Sequence, residues 1–283
     1  MFVSKLFIEF MLYSFLGWIY ECTYCTVKEG HWRNRGFLFG PLCPIYGTGT
    51  VACELIFGYL PMFRSIPYSQ IPIWKIFAIC ALGSIVLEYG TSYFLEKRFH
   101  AVWWEYYDMP LNINGRVCVP ATMGFGIAGI LVTRFALPFM EKVMGGLNPI
   151  AAEIIALLLM GYLAADLVLT VSSLIHLLDM VEGAMAEFDG RMEDMYKNAV
   201  ATPGKAKEAL TSVPVRAKEA MAVAAEKLDF RQRYQLKNIK NFRFKRPVFR
   251  GGRTLNTERM SEFYKGLQDK IRTGDEKQWK VKK

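Results

Sequence analysis

Acidic side chains lie inside stretches of this chain that are otherwise apolar. Glu21, Glu88 and Asp166 each fall within such a stretch, where a charged group costs at least about 2.5 kcal/mol near the centre of a bilayer. Glu21 and Glu88 are each about five to seven residues from one end of their stretch, which places them roughly 8–10 Å deep. Carboxylates at this depth either bind a charged solute or pair with basic groups to fix helix packing.

Asparagine and arginine residues precede two of the apolar stretches at similar places. Asp166 belongs to a polar stripe with residues 162, 170 and 173, and such a stripe must face the interior of a helix bundle. We therefore predict a compact polar site at one membrane face. Its predicted members are Glu21, Asn34, Arg35, Glu88, Asn114, Arg116 and Asp166. The alternative is that the two glutamates pair with the two arginines only to hold helices together.

No known catalytic motif accompanies this polar cluster. The sequence has no phosphate-binding G-x-x-x-x-G-K-[ST] loop, and its three histidines lack the spacing of zinc ligands. The Cys22-x-x-Cys25 pair has no second pair elsewhere, so we interpret these cysteines as small packing residues. We therefore predict no catalytic residue, no metal and no cofactor, which disfavours an enzyme without excluding one.

The apolar stretches predict an all-α membrane protein. The chain has 283 residues, of which 52% are hydrophobic, and almost all of its long apolar runs lie before Leu178. Each run is near or above the ~20 residues needed to cross about 30 Å of hydrocarbon. We predict a transmembrane domain at 1–178 with five transmembrane helices, at about 6–27, 37–60, 73–95, 117–140 and 150–178.

Basic residues predict how these helices are oriented, because loops rich in Lys and Arg stay in the cytoplasm. Lys and Arg favour the loops after the first and third spans, and the segment from Arg231 onward has 17 of them against five Asp and Glu. We therefore predict a cytoplasmic C-terminus. An odd number of spans then places the N-terminus outside, and the protein is expected in the cell (plasma) membrane.

Two segments share an order of residues that predicts an internal duplication. They read "NRGFLFGPLCPIYGTGT" from Asn34 and "NGRVCVPATMGFGIAG" from Asn114, and each follows a span that contains a glutamate. The predicted copies, 6–60 and 73–140, each hold two spans and so run in the same direction. Glycines would let helix backbones approach closely; they are Gly36, Gly40, Gly47 and Gly49 in the first segment and Gly124, Gly126 and Gly129 in the second. Prolines 41 and 44 predict a helix start that is either bent near a wet cavity or kinked and tightly packed.

The remaining residues, 179–283, are predicted to form a charged cytoplasmic tail. Residues 180–230 are rich in Ala, Glu, Lys and Met, which favours helix, with breaks at "ATPGK" and "TSVPV". From residue 231 the tail is basic, and its Lys and Arg alternate with Phe and Tyr. This pattern fits anionic lipids. It also fits RNA, but attachment to a bilayer favours lipids and disfavours nucleic acid.

Longer motifs resemble those of a bacterial family of multi-pass membrane proteins, the ABC-transporter type IV family. They are "YSFLGWIYE" at 13–21, "NRGFLFGPLCPIYG" at 34–47 and "LEKRFHAVWWEYYDMPLNINGRVC" at 95–118, together with Asp166. The resemblance covers about residues 8–175 and excludes the tail. It implies membrane transport, and because this chain has no ATPase motif, an ABC role would need a separate ATPase.

Three functional hypotheses remain open on these grounds. The leading one is a transporter or permease of unknown substrate that works as a homo-oligomer or with a separate cytoplasmic ATPase. The second is a membrane-embedded enzyme acting on a lipid-linked or small cytoplasmic substrate. The third is a membrane scaffold that recruits partners through its tail.

Overall fold

A computed structural model describes residues 2–30, 32–201, 219–244, 248–250 and 253–281. The chain divides into two compact units. The first unit comprises Met1–Phe94 and Trp104–Thr170, and the second comprises Leu95–Trp103 and Val171–Lys283. The second unit thus begins before the predicted tail boundary at residue 179 and also includes a short segment that follows the third predicted span.

The first unit is built from helices. These are α1 (Phe2–Glu29), α2 (Pro44–Glu54), α3 (Ile73–Phe99), α4 (Val119–Leu131), α5 (Leu137–Gly145) and α6 (Pro149–Ala201), of which α3 and α6 continue into the second unit. Four stretches are long and apolar enough to cross a membrane: Phe2–Glu29, Ile73–Phe99, Val119–Gly145 and Pro149–Met195. Large apolar side chains such as Val86, Phe135 and Leu158 are exposed on them, as expected for helices that face lipid. The predicted class, a helical membrane protein, is confirmed.

The second predicted span, 37–60, is only partly helical. Residues 36–41 form a series of bends, and α2 begins at Pro44 and ends in a π-helical turn at Leu55–Tyr59. Proline is tolerated in the first turn of a helix, where its missing N–H has no partner to lose. Pro44 therefore starts the helix instead of kinking it. Helix and turn together span about 24 Å at 1.5 Å per residue, and the five-span count stays a prediction.

Gly47 allows α1 and α2 to approach closely. A Cβ atom at this position would lie less than 3.0 Å from both the Phe10 carbonyl oxygen and the Ser14 hydroxyl oxygen, which is closer than real Cβ atoms come. Small residues at helix interfaces bring backbones together and so increase van der Waals contact in a membrane. The predicted role of Gly47 is confirmed.

Two glycines of α4 have the same role against α3. A Cβ at Gly126 would overlap the Phe77 ring, and a Cβ at Gly129 would overlap the Cys80 side chain. At Gly124, in contrast, a Cβ would meet no atom within 4 Å. The prediction of close packing is therefore confirmed at Gly126 and Gly129 and wrong at Gly124, which lies on the exposed side of α4.

The second unit contains most of the predicted tail. Its elements are β1 (Ala101–Val102), a helical segment α7 at 219–227, α8 (Phe230–Asn238), β2 (Asn241–Phe242), β3 (Val248–Arg250), β4 (Arg253–Leu255) and α9 (Thr257–Val281). β1 pairs antiparallel with β2, with Ala101 opposite Phe242, and β3 pairs antiparallel with β4. The predicted helix breaks at 201–205 and 211–215 lie almost wholly outside the described residues.

Aromatic residues of the basic segment pack into the core of this unit. Phe242 and Tyr264 are 2% and 0% exposed, and their rings stack at a centroid distance of 3.9 Å. The buried Gln268 side chain donates hydrogen bonds to the Leu236 and Ile239 carbonyls, each at 2.9 Å. Phe242 and Tyr264 thus belong to a protein core, and the predicted binding of lipid would depend on the Lys and Arg side chains.

Candidate functional site

Glu21 lies partly buried on α1 and has two polar partners. The Tyr46 hydroxyl donates a hydrogen bond of 2.6 Å to its Oε1 atom, and the Arg35 Nε atom lies 3.8 Å from its Oε2 atom. The Tyr46 ring packs directly over Gly17, where any Cβ would overlap it. Gly17, one turn before Glu21 on the same helix face, therefore makes room for the tyrosine that binds the carboxylate.

Asn34 and Arg35 are held against α1 by contacts that leave Asn34 little freedom. The Trp18 indole N–H donates to the Asn34 side-chain oxygen at 2.8 Å. The Arg35 backbone N–H contacts the Cys22 sulfur at 3.3 Å, and its guanidinium contacts the Cys25 sulfur at 3.5 Å. The loop thus places Arg35 near Glu21, and the Cys22-x-x-Cys25 pair has a packing role in this contact.

Glu88 on α3 is more deeply buried than Glu21, with 4% of its surface exposed. The Tyr106 hydroxyl donates to its Oε1 atom at 3.3 Å. Its Oε2 atom is buried and has no hydrogen-bond partner among the described residues. Glu21 and Glu88 are close enough to repel each other electrostatically. The structure therefore brings the glutamates of the two predicted copies into one electrostatic neighbourhood.

Tyr106, in the loop between α3 and α4, is affected by the charges of both glutamates. Burial raises the pKa of the Tyr106 hydroxyl above its usual value, and the negative charges of Glu88 and Glu21 raise it further. A tyrosine with a raised pKa keeps its proton at neutral pH, so it remains a hydrogen-bond donor to the carboxylate. The loop is shaped for this by a hydrogen bond from the Tyr106 N–H to the Gly115 carbonyl at 2.8 Å.

Sequence reasoning did not find Tyr46 and Tyr106. A signal was present, because Tyr46 lies in "CPIYG" and Tyr106 in "WWEYYD", two motifs that carried the family resemblance. Tyrosine is common in membrane proteins as an interfacial anchor, and the sequence does not distinguish that use from a hydrogen bond to a buried glutamate.

Arg116 and Asn114 contact the face of α3 one turn beyond Glu88. The Arg116 guanidinium is 3% exposed, donates to the Ser92 hydroxyl at 2.9 Å and lies over the rings of Tyr89 and Tyr93 at 5.5 and 5.6 Å. Cation–π contacts of this kind favour a buried guanidinium. Asn114 is exposed and donates to the Tyr89 hydroxyl at 3.2 Å.

Asp166 is buried on α6 and binds the backbone of the bent segment before α2. Its two carboxylate oxygens accept hydrogen bonds from the Phe39 N–H at 3.1 Å and the Gly40 N–H at 3.0 Å, and the Thr170 hydroxyl donates at 3.3 Å. A side chain at Gly40 would overlap the Tyr162 hydroxyl. Residues 36–41 are not helical, so their backbone N–H groups need acceptors from elsewhere. Asp166 supplies such acceptors, as is required where no water reaches the backbone in a membrane.

The polar groups around Glu21 and Glu88 have a chemistry suited to binding a solute. Among the described residues no group of three or more His, Cys, Asp and Glu could hold a metal ion. The first unit contains two carboxylates, Glu21 on α1 and Glu88 on α3. Each accepts a hydrogen bond from a tyrosine hydroxyl on one of its oxygens. Such a cluster can bind a cation or a group that donates hydrogen bonds.

Apolar helices long enough to cross a membrane indicate a multi-pass membrane protein. The chain belongs to the family described as Putative ABC-transporter type IV, whose model matches residues 8–171, and the resemblance noted in the sequence is confirmed. The match ends at almost the same residue as the first unit, so most of the second unit lies outside it. No curated protein and no solved structure matches this chain.

Proposed function

We propose that this protein is a permease-type membrane protein that moves a small cationic solute past Glu21 and Glu88. The observation that carries the proposal is the buried Oε2 atom of Glu88, which has no hydrogen-bond partner among the described residues. A carboxylate oxygen in apolar surroundings is costly unless a donor or a cation satisfies it. An ammonium or guanidinium group of a solute would supply both a donor and a positive charge.

Neighbouring groups support a cation over an anion. Glu21 contributes a second negative charge, and the tyrosines each occupy only one oxygen of a carboxylate. Arg35 offsets one of the charges, but its ion pair with Glu21 is long, at 3.8 Å, and both side chains are more than a quarter exposed. Partly exposed ion pairs are weak, so a solute cation can take the place of Arg35.

The first prediction concerns binding by the full-length protein in lipid nanodiscs. Methylammonium and putrescine serve as cationic probes, and acetate and succinate as anionic probes, with isothermal titration calorimetry as the measurement. We expect a cationic probe to bind the parent protein. Glu88→Gln should weaken that binding at least about tenfold, or about 1.4 kcal/mol, because the amide keeps the shape of the carboxylate but loses its charge.

Glu141→Gln is the matched control for this experiment. Glu141 is an exposed glutamate of α5 and makes none of the contacts described for the polar cluster, so its replacement should leave binding unchanged. An unaltered thermal unfolding curve shows that Glu88→Gln is folded. Binding of an anionic probe alone, or cation binding that Glu88→Gln leaves intact, would contradict the proposal.

We also propose that 6–60 and 73–140 are two copies of one unit. The helices α2 and α4 both begin after a cysteine, with proline in their first turn. Both run directly into a five-residue π-helical turn. In each copy a tyrosine hydroxyl donates to the glutamate. These shared features support a solute site made jointly by the two copies.

For the orientation we propose five spans in the cell membrane, with the N-terminus outside and the loops after α1 and α3 in the cytoplasm. The support is the distribution of Lys and Arg between the loops. We expect Gly30→Cys and Asp108→Cys, each in a background without native cysteines, to resist an impermeant thiol reagent added to intact cells. Met62→Cys is the positive control, since Met62 is 72% exposed in the opposite loop. Labelling of Gly30→Cys or Asp108→Cys from outside would overturn this topology.

Partners follow from the family and from the charge of the C-terminal segment. The family description suggests a separate ATPase, which would supply energy that this chain has no motif to obtain, and a homo-oligomer would bring several solute sites together. For the segment from Arg231 to Lys283 we propose contact with anionic lipids of the inner leaflet. Its 17 Lys and Arg against five Asp and Glu support this, at about 1 kcal/mol for each basic residue near the surface.

A further inference from the structure

A second pair of carboxyl groups, one of them buried, lies within the first unit, away from the solute site. Glu9 of α1 is 4% exposed, and its side chain lies within hydrogen-bonding reach of Glu54, the last residue of α2. Ionised carboxylates only accept hydrogen bonds, so two of them can bond to each other only when one carries a proton. Glu9 is twelve residues before Glu21 on α1, or about 18 Å along the helix. The pair is therefore distinct from the cluster around Glu21 and Glu88.

Two buried polar atoms, one beside this pair and one within it, have no hydrogen-bond partner among the described residues, which indicates a ligand. Tyr13 lies one turn beyond Glu9 on the same face of α1, is only 9% exposed, and interacts electrostatically with both glutamates. Its hydroxyl has no hydrogen-bond partner among the described residues, and the same holds for the buried Oε2 atom of Glu54. Buried polar atoms are rarely left in this state. Each of them can bond to a protonated or hydrogen-bonding species at the pair.

The surroundings disfavour two negative charges at this place. Met140 and Met144 pack against Tyr13 and make its surroundings apolar, so that ionising both glutamates would strand a second charge without solvent. Other titratable or charged groups interact with the pair or with the tyrosines beside it. They are Lys5 and Tyr13 of α1, Tyr59 of the π-helical turn, Arg64 and Tyr68 of the following loop, and Glu141 of α5.

We propose that Glu9, Glu54 and Tyr13 form a proton-binding site that links α1 to α2. One proton is bonded to one carboxyl oxygen and shared with the other glutamate by a hydrogen bond, and Tyr13 donates to or accepts from the pair. Release of the proton to water leaves both glutamates ionised and breaks the link. This site stands on different residues from the solute site, so it holds or fails independently of the proposed function.

The test is infrared difference spectroscopy on the full-length protein in lipid, because a protonated carboxyl group has a carbonyl stretch that moves to lower frequency in D2O. At neutral pH we expect the parent protein to show this band. Glu9→Gln and Glu54→Gln should each remove one carboxyl's intensity, since the remaining glutamate then ionises and accepts a hydrogen bond from the amide. The double variant should remove no more than either single variant, because the pair shares one proton. Glu226→Gln, a control at an exposed glutamate of α7, should leave the band unchanged.

Several outcomes would overturn the proposal. A parent protein without the band has no protonated pair, whatever the variants do, and this result does not depend on how well the variants fold. Additive losses in the double variant would mean two independent acids. Disappearance of the band when sodium replaces choline at constant pH would show that the pair takes a metal cation in preference to a proton.

Discussion

Replacing Gly47 with alanine is expected to destabilise the protein strongly, even though alanine is the better helix former by about 1 kcal/mol. The added Cβ would lie less than 3.0 Å from the Phe10 carbonyl oxygen and from the Ser14 hydroxyl oxygen. The first of these belongs to the backbone of α1 and cannot rotate away, so α1 and α2 must separate. Overpacking of this kind typically costs about 1–3 kcal/mol, and more where backbones must move.

The measurement is the thermal unfolding temperature and the yield of folded protein in detergent. Gly83→Ala and Gly124→Ala are matched controls, because a Cβ at either glycine would meet no atom within 4 Å. Both should leave stability unchanged or raise it slightly through helix propensity. If all three substitutions behaved alike, the close contact between α1 and α2 would be wrong. A larger loss with Gly47→Val than with Gly47→Ala would identify steric overlap as the cause.

The outcome of the glycine predictions shows what a sequence can and cannot provide. The pattern of small residues correctly indicated close helix contacts at Gly47, Gly126 and Gly129, since few other functions explain glycines at those places in a helix. It failed at Gly124 because the sequence does not say which side of α4 faces α3. The same limit applies to Gly17, whose importance depends on the Tyr46 ring above it.

The sequence anticipated the burial of several candidate residues, whereas it did not reveal their contacts, and the site itself stays a prediction. Burial of Glu88, Arg116 and Asp166 followed from their positions in or beside apolar stretches, and all three are buried. Their partners depend on contacts between distant parts of the chain, which a periodic pattern does not contain. Tyr106 was missed for this reason. In the C-terminal segment the sequence did not show that an aromatic residue, Phe242, lies in a core, whereas contact of the segment's Lys and Arg with a membrane surface stays a prediction.

Asp166→Ala is expected to have the other large effect on stability. The substitution tests whether Asp166 stabilises the fold or binds a solute. Loss of the carboxylate leaves the N–H groups of Phe39 and Gly40 without their acceptor in the interior of the first unit. Each buried donor left unsatisfied costs about 1–3 kcal/mol, and hydrogen bonds to a charged acceptor lie at the upper end. Thr170 compensates only in part, since its hydroxyl oxygen is 3.3 Å from the Phe39 nitrogen. We expect a lower unfolding temperature and faster hydrogen exchange of the amides in residues 37–42.

Substitutions around Asp166 make this expectation specific. Asp166→Asn should also destabilise, because an asparagine turns an NH2 group toward one of the two amides and so places donor against donor. Thr170→Val should have a smaller effect, as it removes only the weaker acceptor of the Phe39 N–H. Sequence analysis assigned Asp166 to the solute site together with Glu88. If Asp166→Asn were as stable as the parent but failed to bind a cationic probe, that assignment would be correct, and the bent segment at 36–41 would need another source of stability.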